Sequence, residues 1–243
     1  MRNENEYEQS SNGSRMQYLG FSNLVKARPL QEVLDGNVQD FKELLRSISE
    51  RVNKSEQATT KDIFAKGPVG QAVFSDTVLI YSLSDDKIGY ENVIYVVTHL
   101  LAAPIEIPHL RFRIGVSYGE FYHDVQNSIY VGKALIEAHA LGKRQKWCGG
   151  AFTKSAEERI NETDADRGYL TDYEVPVESN KTESHLVINW ALAKHDIIKD
   201  YGWLERNYLF PLTEQEIKIE HKLRNTENFI WISACSAERI GTV

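Results

Sequence analysis

The most constraining feature of this sequence is the stretch 71–82, QAVFSDTVLIYS, in which two short apolar runs flank a single carboxylate, Asp76. The second run, residues 78–81, consists of β-branched, aliphatic and aromatic residues, as is typical of a buried strand. The stretch therefore predicts a β-hairpin with Asp76 at its tip. An aspartate in a turn can cap the local backbone, or it can present a carboxylate to a metal ion from a rigid support. This stretch alone leaves both interpretations open.

Composition and charge exclude several classes of protein. The chain has 243 residues, of which 42% are hydrophobic and 26% charged, and this balance is ordinary for a globular protein with a sizeable core. The net charge of −7 gives no general attraction to nucleic acid or to anionic membranes. Two cysteines cannot build a disulfide framework, and we find neither a signal peptide nor a membrane-spanning apolar run. We therefore expect a cytoplasmic protein with no nucleic-acid or membrane partner.

Changes in composition along the chain predict three segments. Residues 1–14 are polar and nearly free of apolar side chains, so we expect a disordered tail there. Residues 15–200 contain the alternating and helical patterns of one folded domain. Residues 201–243 form a C-terminal helical extension, in which Thr213 and Glu216 match a capping box.

The order of predicted elements favours an α+β fold. Hydrophobic periodicity predicts a mixture of strands and helices, namely a strand at 16–21, two helices within 22–52, the hairpin, a helix at 90–101, strands at 110–122 and 128–131, a helix at 132–146, a short helix at 153–160, strands near 173–177 and 185–190, and a C-terminal helix. This order indicates a ferredoxin-like arrangement, a mostly antiparallel sheet with helices packed on it. Gly115 and Gly119 lie inside the strand at 110–122, so we expect another element to pack closely against its backbone.

Four stretches of the sequence together resemble a known family. YLGFSNLV at 18–25, FSDTVLIYS at 74–82, RIGVSYGEFY at 113–122 and YVGKALIEAHALGKRQKW at 130–147 resemble the class III nucleotide cyclase domain, and most closely its divergent bacterial Pycsar pyrimidine cyclases. The resemblance covers about residues 16–190. It implies a nucleoside triphosphate substrate, Mn²⁺ or Mg²⁺ as cofactor, a head-to-tail homodimer with sites at the interface, and a 3′,5′-cyclic nucleotide as product.

The resemblance also implies two metal-binding carboxylates, one in the hairpin and one in the first strand. Asp76 matches the hairpin position. The first-strand position, three residues before the Gly20-Phe21 pair, is occupied by Gln17. An amide oxygen can coordinate a metal ion, but Gln17 lacks the negative charge that two divalent ions about 3.5–4 Å apart require.

The positions with which purine cyclases recognise the base also differ here. They correspond to Ala72 and Ile129, whose apolar side chains cannot form hydrogen bonds with a purine. We expect these two residues to lie at the base, with Tyr118 and Tyr130 as candidates for stacking on it. Core packing is the alternative role for both tyrosines.

The residues that stabilise the transition state in the family are replaced as well. Their positions correspond to Ile136 and Ala140. Other cations must then neutralise phosphate charge, and the nearby candidates for this catalytic role are Lys133 and Arg144, with Lys143 and Lys146 close in sequence. Lys143 and Arg144 fit a solvated basic helix end equally well.

Three functional hypotheses follow from these observations. The first is a nucleotide cyclase, a phosphorus–oxygen lyase that converts a pyrimidine nucleoside triphosphate, UTP before CTP, to the cyclic monophosphate (cUMP from UTP) and pyrophosphate. By resemblance, its product would signal to a cyclic-nucleotide-sensing effector in anti-phage defence. The second is a catalytically inactive cyclase-like domain that binds a nucleotide or a partner, and the third is a dimerising module. Gln17 is the residue that separates the first two hypotheses.

Overall fold

A computed structural model describes residues 10–18, 69–74, 77–103, 111–194 and 220–240, with several helical residues between 35 and 47. The strands of these ranges are β1 (Ser10–Tyr18), β2 (Val69–Phe74), β3 (Thr77–Ser82), β4 (Phe112–Glu120), β5 (Tyr122–Asp124), β6 (Ile129–Val131), β7 (Gly150–Phe152), β8 (Leu170–Val177) and β9 (Lys181–Ile188). The α-helices are α1 (Lys87–Ala102), α2 (Lys133–Arg144), α3 (Lys154–Thr163) and α4 (Glu220–Ile240). Strands and helices alternate in the order that an α+β fold requires.

The strands form one large sheet and one small arm. Seven strands follow the order β2-β3-β1-β4-β7-β9-β8, and only the β4–β7 pair is parallel. The helix α2 connects these two parallel strands. Strands β5 and β6 form a separate antiparallel hairpin, here called the arm. The α+β fold with a mostly antiparallel sheet is confirmed.

Side chains on the two faces of β3 enter two different apolar clusters. Val78 and Ile80 belong to the larger cluster, which also contains the buried face of α1 and three residues of α4, namely Leu223, Phe229 and Ile230. Leu79 and Tyr81 belong to the smaller cluster, with Phe121 and, around it, Ala72, Tyr130 and Leu135. Because successive side chains of a strand point to opposite faces, the sheet has helices on one side and α2 with the arm on the other.

The helix α2 packs closely on β4 through a glycine. A Cβ atom at Gly115 would collide with the backbone carbonyl oxygen of Ala138 in α2. The close approach expected for this strand is therefore confirmed, and its partner is the helix that follows in the chain. Helix α2 begins after Gly132, whose φ of 151° is a conformation that a residue with a Cβ atom rarely adopts.

The first strand begins earlier than expected. Strand β1 starts at Ser10, so residues 10–14 belong to the sheet rather than to a disordered tail. The segment is polar, but it pairs with β3 on one side and β4 on the other, where Gly13 lies opposite both Tyr81 and Ser117. Backbone hydrogen bonds to two neighbours order a central strand whatever its side chains, and this is why composition misled the prediction.

Other predicted elements agree or lie outside the described residues. The described parts of the predicted helix at 90–101 and of the strands near 110–122, 173–177 and 185–190 are confirmed within a few residues. Most of the region 22–52 and the capping box at Thr213 lie outside the described residues. The domain boundary at residue 200 stays a prediction. In the described ranges, no helix has both the length and the hydropathy needed to cross a bilayer.

Candidate functional site

A depression lies between the β2–β3 hairpin and the arm, on the face of the sheet that carries α2. Its volume is about 240 Å³. It is lined by two aromatic, two hydroxyl and two aliphatic side chains, namely Phe74, Tyr130, Thr77, Ser128, Leu79 and Leu135. The rings of Phe74 and Tyr130 meet edge to face with centroids 5.4 Å apart. A mostly apolar depression with a few hydroxyl groups is the usual composition of a small-molecule site.

Hydrogen bonds within the turn between β5 and β6 fix the side of the depression that the arm forms. Asp124 accepts hydrogen bonds from the backbone N–H and the side-chain amide of Asn127, at 3.0 and 2.7 Å. Ser128, the next residue, has a φ of 57°, an uncommon conformation for a residue other than glycine. Such backbone strain persists where the surrounding structure enforces it, and functional sites are a common place for it.

The described residues next to the predicted metal-binding positions lie at one end of the sheet. Asp76 itself is outside the described residues, but Phe74 and Thr77, which lie on either side of the 75–76 turn in the chain, both line the depression. The backbone of Gln17 lies opposite Thr77 on β3 and opposite Arg113 on β4. Opposed Cα atoms of antiparallel strands are about 4.5–5.5 Å apart, so Gln17 is next to the residue that follows Asp76.

The described neighbours of Gln17 add no carboxylate to the predicted metal site. Within the ranges that the structure describes, no group of three or more histidine, cysteine, aspartate or glutamate side chains is placed to hold a metal. The two cross-strand neighbours of Gln17 are a threonine and an arginine, so neither supplies the missing carboxylate. Metal binding by Asp76 and Gln17 stays a prediction.

The predicted base-recognising residues occupy different environments. Tyr130 lines the depression, whereas Ile129 is 45% exposed and is not among the lining residues. Alternation along the strand explains this, because Ser128 and Tyr130 flank Ile129 and share the other side. Ala72, two residues before Phe74 on β2, is half-buried against the smaller cluster.

Tyr118 lies elsewhere, near α1 and α3. Its hydroxyl donates a hydrogen bond to Asp85 at 3.0 Å, and the guanidinium of Arg159 lies 5.1 Å from its ring centroid. Burial, followed by the hydrogen bond to Asp85, raises the pKa of the Tyr118 phenol above its usual value. The predicted role of Tyr118 in stacking on the base stays a prediction.

The predicted catalytic cations of α2 form ion pairs with nearby glutamates. Lys133 is 3.7 Å from Glu137 one turn along α2, and Arg144 is 2.7 Å from Glu183 on β9. Lys133 and Arg144 are at opposite ends of α2, so this helix does not bring them together. Ile136 and Ala140, at the family's transition-state positions, are exposed. Their catalytic roles stay predictions.

Sequence reasoning missed five lining residues: Phe74, Thr77, Leu79, Ser128 and Leu135. The period of two along a strand was a usable signal for Ser128, because it places that residue on the same side as Tyr130. No local signal pointed to Leu135, since a residue of α2 reaches the depression only through the packing of α2 on the sheet.

Comparisons with solved structures identify the fold. The model superposes on the catalytic core of a rhodopsin-guanylyl cyclase with converted specificity, in complex with ATPαS, with a TM-score of 0.51 and 12% identity over 74% of this chain and 94% of that chain. It also matches the monomeric guanylyl cyclase domain of the RhoGC fusion protein from the aquatic fungus Blastocladiella emersonii, with a TM-score of 0.50, 12% identity and the same coverage of both chains. The chain has the fold of a nucleotide cyclase catalytic domain. A non-canonical dimeric form of the same fungal domain matches at a TM-score of 0.50 with 13% identity, over 74% of this chain and 96% of that chain.

The cyclase fold of these structures confirms the predicted ferredoxin-like fold. It does not confirm the assignment to the Pycsar pyrimidine cyclases. No protein-family model matches the sequence, and neither does any curated protein. At 12–13% identity the structural likeness concerns the fold alone. The Pycsar subgroup therefore remains a resemblance.

Proposed function

We propose that this chain is a nucleotide cyclase that converts a pyrimidine nucleoside triphosphate to its 3′,5′-cyclic monophosphate and pyrophosphate. UTP is the favoured substrate on the resemblance, with CTP second. The product would act as a second messenger in anti-phage defence and bind a downstream effector. Mn²⁺ or Mg²⁺ at Asp76, with Gln17 beside it, belongs to the same proposal.

One observation carries this proposal: the depression is lined by the two described residues that come before and after positions 75 and 76 in the chain. Phe74 and Thr77, the described residues nearest to Asp76 on either side, both line it. A nucleotide whose base occupied the depression would therefore have its ribose and phosphates close to Asp76. Supporting this placement, the aromatic ring of Tyr130 can stack on a base, and hydroxyl groups such as that of Ser128 can donate or accept hydrogen bonds.

Two features support a pyrimidine over a purine in this proposal: the residues that the resemblance places at the base-recognising positions, which are outside the lining of the depression, and the lining itself. Purine cyclases use hydrogen-bonding side chains at the positions of Ala72 and Ile129, and neither residue can form such bonds. Thr77 and Ser128 have short side chains. The contact between the rings of Phe74 and Tyr130 limits the width of the depression. A single-ring base needs less room than a purine and offers carbonyl and N–H groups that two hydroxyls can satisfy.

A second copy of the chain is the proposed partner at this face. Several exposed apolar side chains lie on the arm and on α2, namely Val125 at 61%, Val131 at 54%, Ile129 at 45% and Ile136 at 69% exposure. Exposed apolar groups clustered on one face are typical of an interaction surface. A head-to-tail homodimer would cover them and complete the site from both subunits.

Product analysis tests the proposal. The purified protein is incubated with each of the four ribonucleoside triphosphates and Mn²⁺, and cyclic product and pyrophosphate are measured by mass spectrometry. We expect cUMP from UTP, and a loss of at least about a hundredfold in the Asp76→Ala variant, as is usual when a group that stabilises the transition state is removed. If no triphosphate yields product above the Asp76→Ala background, the enzyme hypothesis is wrong.

The alternative is a catalytically inactive cyclase-like domain that binds nucleotide. Gln17 favours this alternative, because an amide stands where a metal-binding carboxylate is expected. The described cross-strand neighbours of Gln17, Thr77 and Arg113, supply no carboxylate in its place. This alternative predicts saturable UTP binding without turnover. The Gln17→Asp variant separates the two ideas further, since a restored carboxylate should increase metal-dependent turnover only if the rest of the site is competent.

A further inference from the structure

Ser128 brings an accessible hydroxyl to the wall of the depression. It lines the depression from the end of the arm's turn, and its side chain is exposed. In the described ranges its backbone N–H forms a hydrogen bond, but its hydroxyl forms none. Thr77, which supplies the other short hydroxyl of the lining, is only 5% exposed and takes part in a further interaction. The hydroxyl of Ser128 is therefore available to a ligand.

Hydrogen bonds of the turn fix the backbone that leads to Ser128. Asp124 accepts from both the backbone N–H and the side-chain amide of Asn127, which is how an aspartate commonly closes a turn. The backbone N–H of Ser128 donates to the carbonyl oxygen of Val125 at 3.3 Å. The bonds from Asn127, its side-chain amide first and then its backbone, lower the pKa of the Asp124 carboxyl below its usual value. The carboxylate therefore keeps its charge, and with it these bonds, at neutral pH.

The backbone conformation of Ser128 is one that favours glycine. Its φ is 57°, in the left-handed region. Ser179, in the turn between β8 and β9, has nearly the same φ of 62° and is not among the residues that line the depression. The conformation alone therefore does not identify a site. Ser128 differs from Ser179 because it lines a depression with an available hydroxyl.

Most of the other lining side chains suit the faces of a flat ligand rather than its polar edge. Phe74, Leu79 and Leu135 are apolar, and Tyr130 contributes an aromatic ring. A base in this depression also needs partners for the carbonyl and N–H groups at its edge, because a polar group removed from water without a partner is destabilising. A hydroxyl can donate to a carbonyl oxygen or accept from an N–H, so Ser128 can serve uracil and cytosine alike.

We propose that the hydroxyl of Ser128 forms a hydrogen bond with the base of a bound nucleotide, and that Asp124 is a positioning residue that acts through Ser128. This inference rests on the proposed function, because it takes the ligand of the depression to be a nucleotide. It adds a residue that recognises the base, next in the chain to Ile129, which is not among the lining residues. Asp124 does not line the depression, and its bonds to Asn127 hold the turn from which Ser128 projects.

Calorimetric titration of the full chain with UTP measures the contribution of Ser128, in the absence of divalent metal so that no turnover occurs. We expect saturable binding that weakens roughly fivefold or more in Ser128→Gly, the usual effect of losing one hydrogen bond. Ser179→Gly is the matched control, because it makes the same substitution at nearly the same φ outside the lining, and it should bind UTP as wild type does. Undetectable UTP binding, or equal binding by wild type and Ser128→Gly, overturns the proposal.

Thermal unfolding separates a lost ligand contact from damage to the arm. Without ligand, both glycine variants should unfold at the temperature of wild type or higher, because glycine adopts a positive φ without strain. UTP should raise the transition temperature of Ser179→Gly as much as that of wild type, and that of Ser128→Gly less. A Ser128→Gly protein that is less stable than wild type without ligand would assign the loss of affinity to the arm and contradict the proposal.

A double-mutant cycle tests the role of Asp124. Asp124→Ala removes both acceptors of the Asn127 bonds, so we expect the turn to relax and UTP binding to weaken. In the Ser128→Gly background the same substitution should have little further effect, since the contact through which Asp124 acts is already absent. Asp124→Asn keeps one oxygen acceptor and should lose less affinity than Asp124→Ala. Losses that simply add would show that Asp124 does not act through Ser128.

Uridine, which carries no phosphate, identifies the part of the nucleotide that Ser128 contacts. Titration followed by NMR should show uridine binding weakened in Ser128→Gly by about the same factor as UTP binding, because the lost hydrogen bond is to the base. If uridine binding is unchanged while UTP binding weakens, the hydroxyl contacts the phosphates and the assignment to the base is wrong. These measurements do not involve turnover. An inactive domain whose UTP binding depends on Ser128 supports this inference although the proposed reaction fails, whereas an active cyclase indifferent to Ser128→Gly overturns this inference alone.

Discussion

Tyr130 and Phe74 meet across the gap between the arm and the hairpin, and this contact defines the depression at the level of single residues. Neither residue is fully buried, and Phe74 is 42% exposed. Large aromatic side chains that remain accessible beside hydroxyl groups are suited to holding a planar ligand. Tyr130 belongs to the arm and Phe74 is the last residue of β2, so a ligand here would contact both elements.

Replacing Tyr130 tests whether the depression holds the base. We expect Tyr130→Ala to weaken UTP binding by roughly tenfold or more, because an aromatic–base stack contributes about 1–3 kcal/mol. Isothermal titration calorimetry measures the change. Tyr122→Ala is the control, since Tyr122 lies on the paired strand of the same arm, opposite Val131, and is not among the lining residues. Equal losses in both variants would indicate damage to the arm instead.

Tyr90 gives a prediction about pH. Burial, followed by the nearby Tyr118, raises the pKa of the Tyr90 phenol far above its usual value near 10. The unfolded chain then loses this proton at a lower pH than the folded chain, so stability falls as pH rises above about 10. Its hydroxyl is buried with no hydrogen-bond partner in the structure as described.

The variant Tyr90→Phe should therefore reduce this alkaline loss of stability. The expected difference in slope is up to about 1.4 kcal/mol per pH unit between wild type and variant. Near neutral pH the variant should be as stable as wild type or slightly more stable, because an unsatisfied buried hydroxyl is removed. Urea unfolding at pH 7 and above pH 10 measures both effects, and Tyr122→Phe, at a 40% exposed site, should leave both unchanged.

At the level of elements, α2 is fixed to β4 by one close backbone contact and one polar cluster. Because Gly115 has no side chain, the carbonyl oxygen of Ala138 can lie directly against the strand. Beside it, the hydroxyls of Ser117 and Ser155 donate to the carboxylate of Glu137 on α2, at 3.0 and 3.3 Å. The cluster connects α2 to β4 and α3, so it also fixes Leu135 at the depression.

Adding a methyl group at Gly115 should separate α2 from the sheet. We expect Gly115→Ala to destabilise the protein by about 2–4 kcal/mol, because the obstacle is backbone and cannot rotate away. Gly142→Ala on α2 is the matched control, since its Cβ would find no atom nearer than 3.4 Å and alanine favours the helix by about 1 kcal/mol. Denaturant unfolding compares the two. A Gly115→Ala protein as stable as wild type would show that the two elements can move apart at little cost.

At the level of the whole molecule, the two faces of the sheet differ in what covers them. One face is covered by α1 and by α4, which buries Leu223, Phe229 and Ile230 in the larger cluster. The other carries α2 and the arm, whose apolar residues include several that remain exposed. Part of the exposed apolar surface therefore lies on the same side as the candidate site, while Trp231 and Ile232 expose apolar surface on α4.

Substitution at Ile136 tests whether a second copy covers this face. Ile136 is 69% exposed, so Ile136→Glu should leave the folded subunit as stable as wild type. In a homodimer built on this face the new charge would be buried, and we expect sedimentation equilibrium to show at least a tenfold weaker dimer. Ile232→Glu on α4, at 54% exposure on another element, is the control. A monomeric wild type, or a dimer unaffected by Ile136→Glu, would contradict the proposed assembly.

Much of the local structure could be predicted from the sequence. The alternating and helical periods identified the hairpin, the strand around Gly115 and the helix after Gly132, because burial on one face leaves a period of two or 3.6 in the residues themselves. The same reasoning missed the start of β1, because its order comes from two neighbouring strands and not from its own polar side chains. Ser128 and Leu135 were missed at the site because lining a depression depends on packing.

By itself, the sequence determined the elements of this protein and the presence of Gln17 where the cyclase family has an acid. Only the tertiary structure decided that Gln17 lies between Thr77 and Arg113, that Tyr130 and not Ile129 faces the depression, and that Asn225 of α4 contacts Lys146. The physical reason is the range of the interactions. Periodic burial acts between residues a few positions apart, whereas strand register and the docking of α4 join residues far apart in the chain, and these depend on how the whole core packs.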